Sequence, residues 1–353
     1  MSQDSHTQSP ISQIGDMLDD GLILTDLDGV ILSANPAAVR WFGENLTEQK
    51  IFDVINHPNI GDLFAKAADG AKRCEMRYEP TNIIQREFRM RLQRVGDQSV
   101  ALLFLDMTLQ RNLEKVRRDF VANVSHELRS PLTSLAGFVE TMLLDEVPDP
   151  AMRTRFLTIM DEEAKRMSRL IDDLLSLSRV EVDEHIIPEN RVDLAELLHS
   201  VGDSMIGRAM KKNMNIKITQ PDDAQSRAAP LVIFGKHDEI TEVFVNLLEN
   251  AIKYGSDGSD ITLAATMVAP CHVRIDVTNF GEGIEERHLP RLTERFYRVD
   301  KARSRQIGGT GLGLAIVKHI VNRHRGSLSI TSTLGETTKF SVDFPLASVV
   351  TPQ

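Results

Sequence analysis

The chain has 353 residues, is 41% hydrophobic and 26% charged, and carries a formal net charge of -10. At that length one core does not suffice, and two or three domains are predicted. The acidic balance argues against a general nucleic-acid binder, which carries a basic face. Cys74 and Cys271, the only cysteines, lie too far apart in sequence to read as a disulfide framework or a zinc site, and fit a reducing cytoplasm. Met1–Ser12 is polar and shows no basic-then-apolar leader pattern. No apolar run approaches the roughly 20 residues that span a bilayer, Val100–Leu105 being typical of the longest. The expectation is a cytoplasmic protein without a membrane span, brought to the inner membrane only through partners.

Residues 1–13 read as a disordered tail. Gly21–Thr25 and Val30–Ser33 are short apolar runs joined through Asp28-Gly29, a hairpin signal. Asn35-Pro36 then reads as an N-cap followed by proline at the first helical position. Further on, Phe88, Met90 and Leu92 alternate with charged residues as a half-buried strand requires, and Val100–Leu105 reads as a fully apolar strand. A small antiparallel sheet flanked by short helices follows. The run from Asp20 to Ala38 resembles the start of a PAS sensor domain, and Asp106-Met107-Thr108 resembles the junction by which such domains pass into a signalling helix. There is no flavin-type cysteine motif, and a lone His57 is a poor haem ligand. The resemblance, over about residues 14–107, implies a domain that binds a protein partner or nothing.

From Leu109, apolar positions Leu113, Val116 and Phe120 recur at steps of three or four, a seam suited to a parallel coiled-coil contact. It runs into Phe120–Leu135. At helical spacing Val121, Val124, Leu128, Leu132 and Leu135 gather on one side, and Asn123, His126, Ser130 and Thr133 on another. The spacing thus puts His126 on the wet face of an amphipathic helix, nucleophilic through a ring nitrogen, with Glu127 beside it to orient the ring or take its proton. Pro131 cannot donate to the carbonyl of Glu127, which predicts a bend just past the histidine. The helix is predicted to end near Leu144, with a turn at Glu146–Pro150. A second helix follows with Phe156, Met160, Ala164, Met167, Ile171, Leu174, Leu175 and Leu177 as its stripe. Two such helices cannot bury both stripes alone, so a dimeric four-helix bundle is expected.

The string Ser-His-Glu-Leu-Arg-Ser-Pro-Leu (Ser125–Leu132) resembles the phosphoacceptor box of sensor histidine kinases. That implies phosphorylation of His126 with assistance from Glu127, and a hydroxyl at Ser130 in the place where relatives position water to dephosphorylate their partner.

Residues 182–192 are polar, contain Pro188, and read as a linker. Beyond it helices alternate with strands at Val273–Thr278, Ser327–Thr331 and Lys339–Phe344. Glu242, Asn246, Asn250 and Lys253 share one helical face; on spacing alone this is a solvated face, although amide oxygen and ammonium suit a metal-bound phosphate. Two glycine clusters tip the balance toward phosphate. Asn279-Phe280-Gly281-Glu282-Gly283 follows a strand, and Gly308-Gly309-Thr310-Gly311-Leu312-Gly313 opens a helix, where backbone amides can approach an anion. Neither is a Walker loop or a completed Rossmann pattern.

Together with Asn246–Tyr254 and Glu294–Asp300, these clusters resemble the N, G1, F and G2 boxes of the Bergerat-type ATPase fold. The resemblance implies ATP and Mg²⁺ as cofactors, with Asn250 as metal ligand. Asn246, Asn250, Lys253, Tyr254, Asn279, Gly281, Gly283, Arg298, Lys301, Arg303, Gly309, Thr310, Gly311, Leu312 and Gly313 would contact nucleotide. Lys301, Arg303 and Arg305 fall in a lid over Asp300–Gly308. Two positions depart from the family pattern. Asn279 stands where relatives place an aspartate that receives the adenine amino group, and Asp276 cannot substitute because in a strand it faces the other side. Thr337 stands where many relatives have glycine.

The expected fold is multidomain α+β. An N-terminal PAS α/β sensor (14–107) precedes the dimeric four-helix bundle with two helices per chain (108–182). A C-terminal Bergerat-type α/β sandwich ATP-binding domain (190–348) follows. The resemblance implies a homodimeric kinase that passes phosphoryl from His126 to an aspartate of a response regulator receiver domain. Gly137–Thr141 narrows it to the phosphate-regulon branch of these kinases, with a PhoB-like regulator and transporter-associated proteins as partners. The rival from another class is a degenerate dimeric scaffold that binds the regulator without useful kinase activity; a gyrase-like or chaperone-like ATPase is more distant, because those proteins have no histidine box.

Overall fold

The computed structural model describes residues 15–72, 74–80, 86–143, 149–219, 231–269, 271–300 and 309–347. The expected tail, most of the turn at Glu146–Pro150, and the lid residues Lys301, Arg303 and Arg305 lie outside the described residues. The chain divides into two compact units, Met1–Val121 and Ala122–Gln353.

In the first unit β1 (Gly21–Asp26) and β2 (Ile31–Ala34) pair antiparallel. The Asp26 carboxylate accepts the amides of Asp28 and Val30 at 3.0 and 2.8 Å, closing the turn between them. Asn35 caps α1 (Pro36–Phe42), its side-chain oxygen accepting Ala38 N at 2.9 Å and Leu22 N at 2.8 Å. Short helices α2 (Ile51–Val54) and α3 (Ile60–Ala68) follow. Then come β3 (Cys74–Tyr78), β4 (Phe88–Val95) and β5 (Ser99–Asp106). The sheet order is β2-β1-β5-β4-β3.

Val100–Leu105 does not behave as a uniformly buried run. Val100, Leu102 and Phe104 are fully buried, whereas Ala101, Leu103 and Leu105 are half-buried. Successive side chains point to opposite faces, so helices covering one face bury only alternate residues. The junction motif is a helix start. The Asp106 carboxylate accepts Thr108 N at 2.9 Å, and Arg111 pairs with Glu87 at 3.1 Å, tying the first turn of α4 (Thr108–Leu143) to this sheet.

In the second unit α4 passes Pro131, which is buried, without interruption of its helical assignment. Asp149 caps α5 (Pro150–Val182), with Pro150 at its first position. The rings of Phe138 and Phe156 lie 5.0 Å apart, and Glu127 pairs with Arg166 at 3.0 Å, so α4 and α5 run antiparallel. Within the single chain only part of the expected α5 stripe is covered. Leu170, Leu177 and Val180 are buried, while Ile171 and Leu175 remain 44% and 51% exposed. Within one chain only one face of α5 is covered, and α8 (Gly313–Arg323) covers its C-terminal half.

Within the expected linker, 182–192, Asp183, Glu184 and Ile186 are held in place. Arg323 Nε donates to Ile186 O at 3.1 Å, Arg323 pairs with Asp183 at 3.5 Å, and His319 meets Glu184 at 3.3 Å. Between linker and α8 come β6 (Arg191–Asp193), α6 (Leu194–Met210), β7 (Asn215–Thr219), β8 (Val232–Phe234), α7 (His237–Tyr254), β9 (Asp260–Ala269) and β10 (His272–Phe280). After α8, β11 (Ser327–Ser332) and β12 (Thr337–Pro345) close a five-stranded sheet of order β11-β12-β10-β9-β7. Only β7–β9 is parallel among its pairs. Val273, Ile275 and Val277 of β10 and the apolar faces of α6, α7 and α8 are buried together as the core of this sandwich.

Candidate functional site

The site begins with the two-sidedness of α7. Ile240, Val243, Phe244, Leu247, Leu248 and Ala251 are fully buried on one side. The other side presents Glu242, Asn246, Glu249, Asn250 and Lys253 to a cavity of ≈ 520 Å³. The floor comes from β10 and β12. The period of two that buries Val273, Ile275 and Val277 turns Asn279 the same way, and Asn279, Thr338 and Phe340 line the cavity. Asp276 lies on the opposite face, 3.9 Å from Lys339 Nζ, as its strand parity requires.

The glycine clusters are shaped by contact with the protein's own backbone. Gly283 and Gly311 have φ of +73° and +77°. A Cβ on Gly283 would lie 2.4 Å from Thr333 O, and one on Gly311 2.9 Å from Phe296 Cα. Only glycine meets both conditions without strain. At the start of α8 a Cβ on Gly313 would come 2.5 Å from Asn246 Oδ1, so the G2 turn sits directly against α7.

Of the residues predicted to contact nucleotide, Asn246, Asn250, Lys253, Tyr254, Asn279, Gly283, Arg298, Gly309, Thr310, Gly311 and Gly313 line this one cavity. Two do not. Leu312 is fully buried at the N-cap of α8, and Gly281 packs its Cα side against Tyr254 O behind the wall. Sequence reasoning missed Arg169 and Asp173 of α5, which also line it. No motif or spacing links these helix residues to the boxes; only the docking of α5 brings them in.

His126 and Ser130 are exposed on α4. Glu127 beside the histidine is held by two guanidinium groups, Arg166 at 3.0 Å and Arg298 at 3.4 Å. Arg298 is 6% exposed and belongs to the cavity wall, so an ionic contact connects the turn that carries His126 to the cavity.

Along α5 this pattern continues. Thr310 Oγ1 donates to Asp173 Oδ2 at 2.5 Å, and Ser176 Oγ donates to Glu242 Oε1 at 2.6 Å. Burial pushes the carboxyls of Asp173 and Glu242 above their ordinary range, outweighing Thr310 and Lys253 for the first and Ser176 and Arg179 for the second. Burial also pushes Glu249 upward, but Lys253 and Arg208 outweigh it and hold that carboxyl below the usual range. Lys253 Nζ meets Glu249 at 3.2 Å.

Among the described residues, no group of three or more His, Cys, Asp or Glu side chains is placed to hold a metal ion. The donor set fits a cation shared with phosphate instead. Asn246 spends its amide nitrogen on Glu242 O at 3.0 Å, leaving its oxygen, and Asn250 lines the cavity with a second carboxamide. Such a one- or two-ligand arrangement, completed by phosphate and water, is the kind Mg²⁺ accepts.

Comparison with known proteins defines the class first. Residues 116–182 match the His Kinase A (phospho-acceptor) domain, and residues 235–348 match the histidine kinase-, DNA gyrase B- and HSP90-like ATPase. The Phosphate regulon sensor protein PhoR of Pseudomonas aeruginosa is 36% identical over 94% of this chain and 73% of its own length. Sensor histidine kinase WalK of Bacillus subtilis is 30% identical over 92% of this chain. This chain spans 53% of that relative's length. The solved structure of histidine kinase ThkA in complex with response regulator protein TrrA aligns with a TM-score of 0.52 at 20% identity, covering 95% of this chain and 97% of that one, a likeness of fold. The chain belongs to the sensor histidine kinase family. Among the described residues no helix is long and apolar enough to cross a membrane.

Proposed function

We propose that the chain autophosphorylates His126 from ATP and passes the phosphoryl group to an aspartate of a response regulator. The observation that carries this reading is the Glu127–Arg298 contact, which connects the exposed histidine's turn to the wall of the cavity. Adenine sits against Asn279, and the phosphates run along α7 toward Asn246, Asn250 and Lys253. Asn250 would hold Mg²⁺, with the Asn246 oxygen beside it, and the ion would neutralise charge on the phosphate oxygens. Lys253 and Arg298 stabilise charge on the transferring group, the main source of catalysis in phosphoryl transfer. A ring nitrogen of His126 forms the N–P bond as the bond from the γ-phosphorus to the bridging oxygen breaks. The electron pair leaves with ADP, and Glu127 orients the ring and takes its proton.

Several features support the wider reading. Val121 and Leu132 on α4 are 57% and 58% exposed, an apolar surface that a second copy would cover in a four-helix bundle. The strand order of the first unit supports a PAS-type sensor. The structure of ThkA with TrrA supports a receiver domain as partner. The similarity to PhoR supports phosphate signalling, with a PhoB-like regulator and transporter-associated proteins acting through the first unit. Exposed Ser130, three residues past Glu127, supports a phosphatase role in which its hydroxyl positions water. Asn279 in place of a charged acceptor favours a second reading, a docking scaffold with weak nucleotide affinity.

Incubation with γ-labelled ATP separates the two. Acid-labile label on the wild type, absent from His126→Ala and lost on chelation of Mg²⁺, is the expected result. An unlabelled wild type that still binds a receiver domain would leave only the scaffold.

A further inference from the structure

The helix carrying Arg166 continues into the cavity through side chains at helical spacing. Arg166 meets Glu127, Arg169 and Asp173 line the cavity, and Ser176 meets Glu242. Among these Asp173 is placed differently from a docking contact. Its carboxylate oxygen accepts the hydroxyl of Thr310, in the turn that opens α8, at 2.5 Å. Lys253 attracts this carboxyl, while Glu249 and Asp172 repel it. A hydroxyl donating to an oxyanion is what a terminal phosphate would use in the same place. Here a side chain of the same unit uses it first.

We propose that Asp173 is an internal competitor for the phosphate subsite, taking the Thr310 hydroxyl so that docked α5 selects against phosphorylated nucleotide. The inference rests on the reading of this cavity as an ATP site. Two ligands cannot share one hydroxyl donor, and two anions in one cavity repel each other, so docking of α5 and binding of phosphates oppose each other. The opposition is reciprocal: phosphate binding must release Asp173 to the same extent that Asp173 weakens phosphate binding. The part of the cavity formed by Asn279, Thr338 and Phe340 is not involved, so adenosine escapes the competition.

Calorimetry on the full chain with Mg²⁺-ATP and with adenosine tests this. Removing the competing hydrogen bond in Asp173→Ala is expected to tighten ATP by about threefold to tenfold, leaving adenosine unchanged. Equal tightening of both ligands would reduce Asp173 to a general clasp and overturn the proposal, as would unchanged or weaker ATP binding. Wild type that binds no ATP at all would overturn the ATP reading itself, and the proposal with it. Hydrogen exchange on the unaltered protein gives the same answer without a substitution. Amides of Leu170–Leu177 should exchange faster with ATP and not with adenosine; no difference between the ligands would overturn the competition.

Discussion

Asn279 joins strand parity to nucleotide affinity. Its position on β10 turns it into the cavity, 3% exposed, with only a long 3.4 Å contact from its nitrogen to Phe280 O. A neutral acceptor is weaker than a carboxylate by roughly 1 kcal/mol, or about fivefold to tenfold in affinity. If Asn279 receives the adenine amino group, Asn279→Asp should tighten ATP by that factor, measured by direct titration; unchanged affinity would contradict that role. At this scale the sequence was most informative. Asn250, Lys253 and Asn279 follow from period and box pattern, and all line one cavity. The side chain of Leu312 is in the core because the helix start needs one residue of the box there, which a string pattern does not reveal. Asp173 was invisible for the opposite reason, since a contact between Asp173 and Thr310 leaves no trace in local spacing.

The elements of the second unit are joined by small residues and buried carboxyls. Gly311 holds a left-handed backbone beneath Phe296, so Gly311→Ala should cost about 1–2 kcal/mol of stability, read from denaturant unfolding of the full chain; an unshifted unfolding midpoint would contradict the packing described. The docking of α5 carries two carboxyls that burial raises in this form, Asp173 against Thr310 and Glu242 of α7 against Ser176. A group raised in one form is held protonated there more tightly, so that form is favoured fully below the ordinary carboxyl range and loses its advantage as pH rises through the raised values. Lys253 and Arg179 reduce the effect, and Glu249, Asp172 and Glu239 add to it. Since docking opposes phosphate, ATP should bind more tightly as pH rises from mild acid toward neutrality, more steeply in wild type than in Asp173→Asn. Parallel profiles would contradict this. Element types along the chain were legible from turn and cap chemistry at Asn35-Pro36, and from the resemblance of the junction at Asp106–Thr108. The linker was not, because polar composition does not reveal that Arg323 binds it.

For the whole molecule, the exposed apolar residues of α4 and α5 demand a partner. Val121→Asp with Leu132→Asp places charge on the surface that a second copy would cover, and should convert a dimer to a monomer in sedimentation measurements. A dimer that persists would place the contact elsewhere. The two-stripe reasoning led to this expectation, and the exposure of Ile171 and Leu175 in the single chain agrees with it. The most direct test of the catalytic claim is intact-site mass spectrometry at neutral pH after incubation with Mg²⁺-ATP. A phosphoryl group on the His126 ring, removed by acid and stable to base, is the expected result. ATP bound in the cavity with phosphate never appearing on that ring would contradict it.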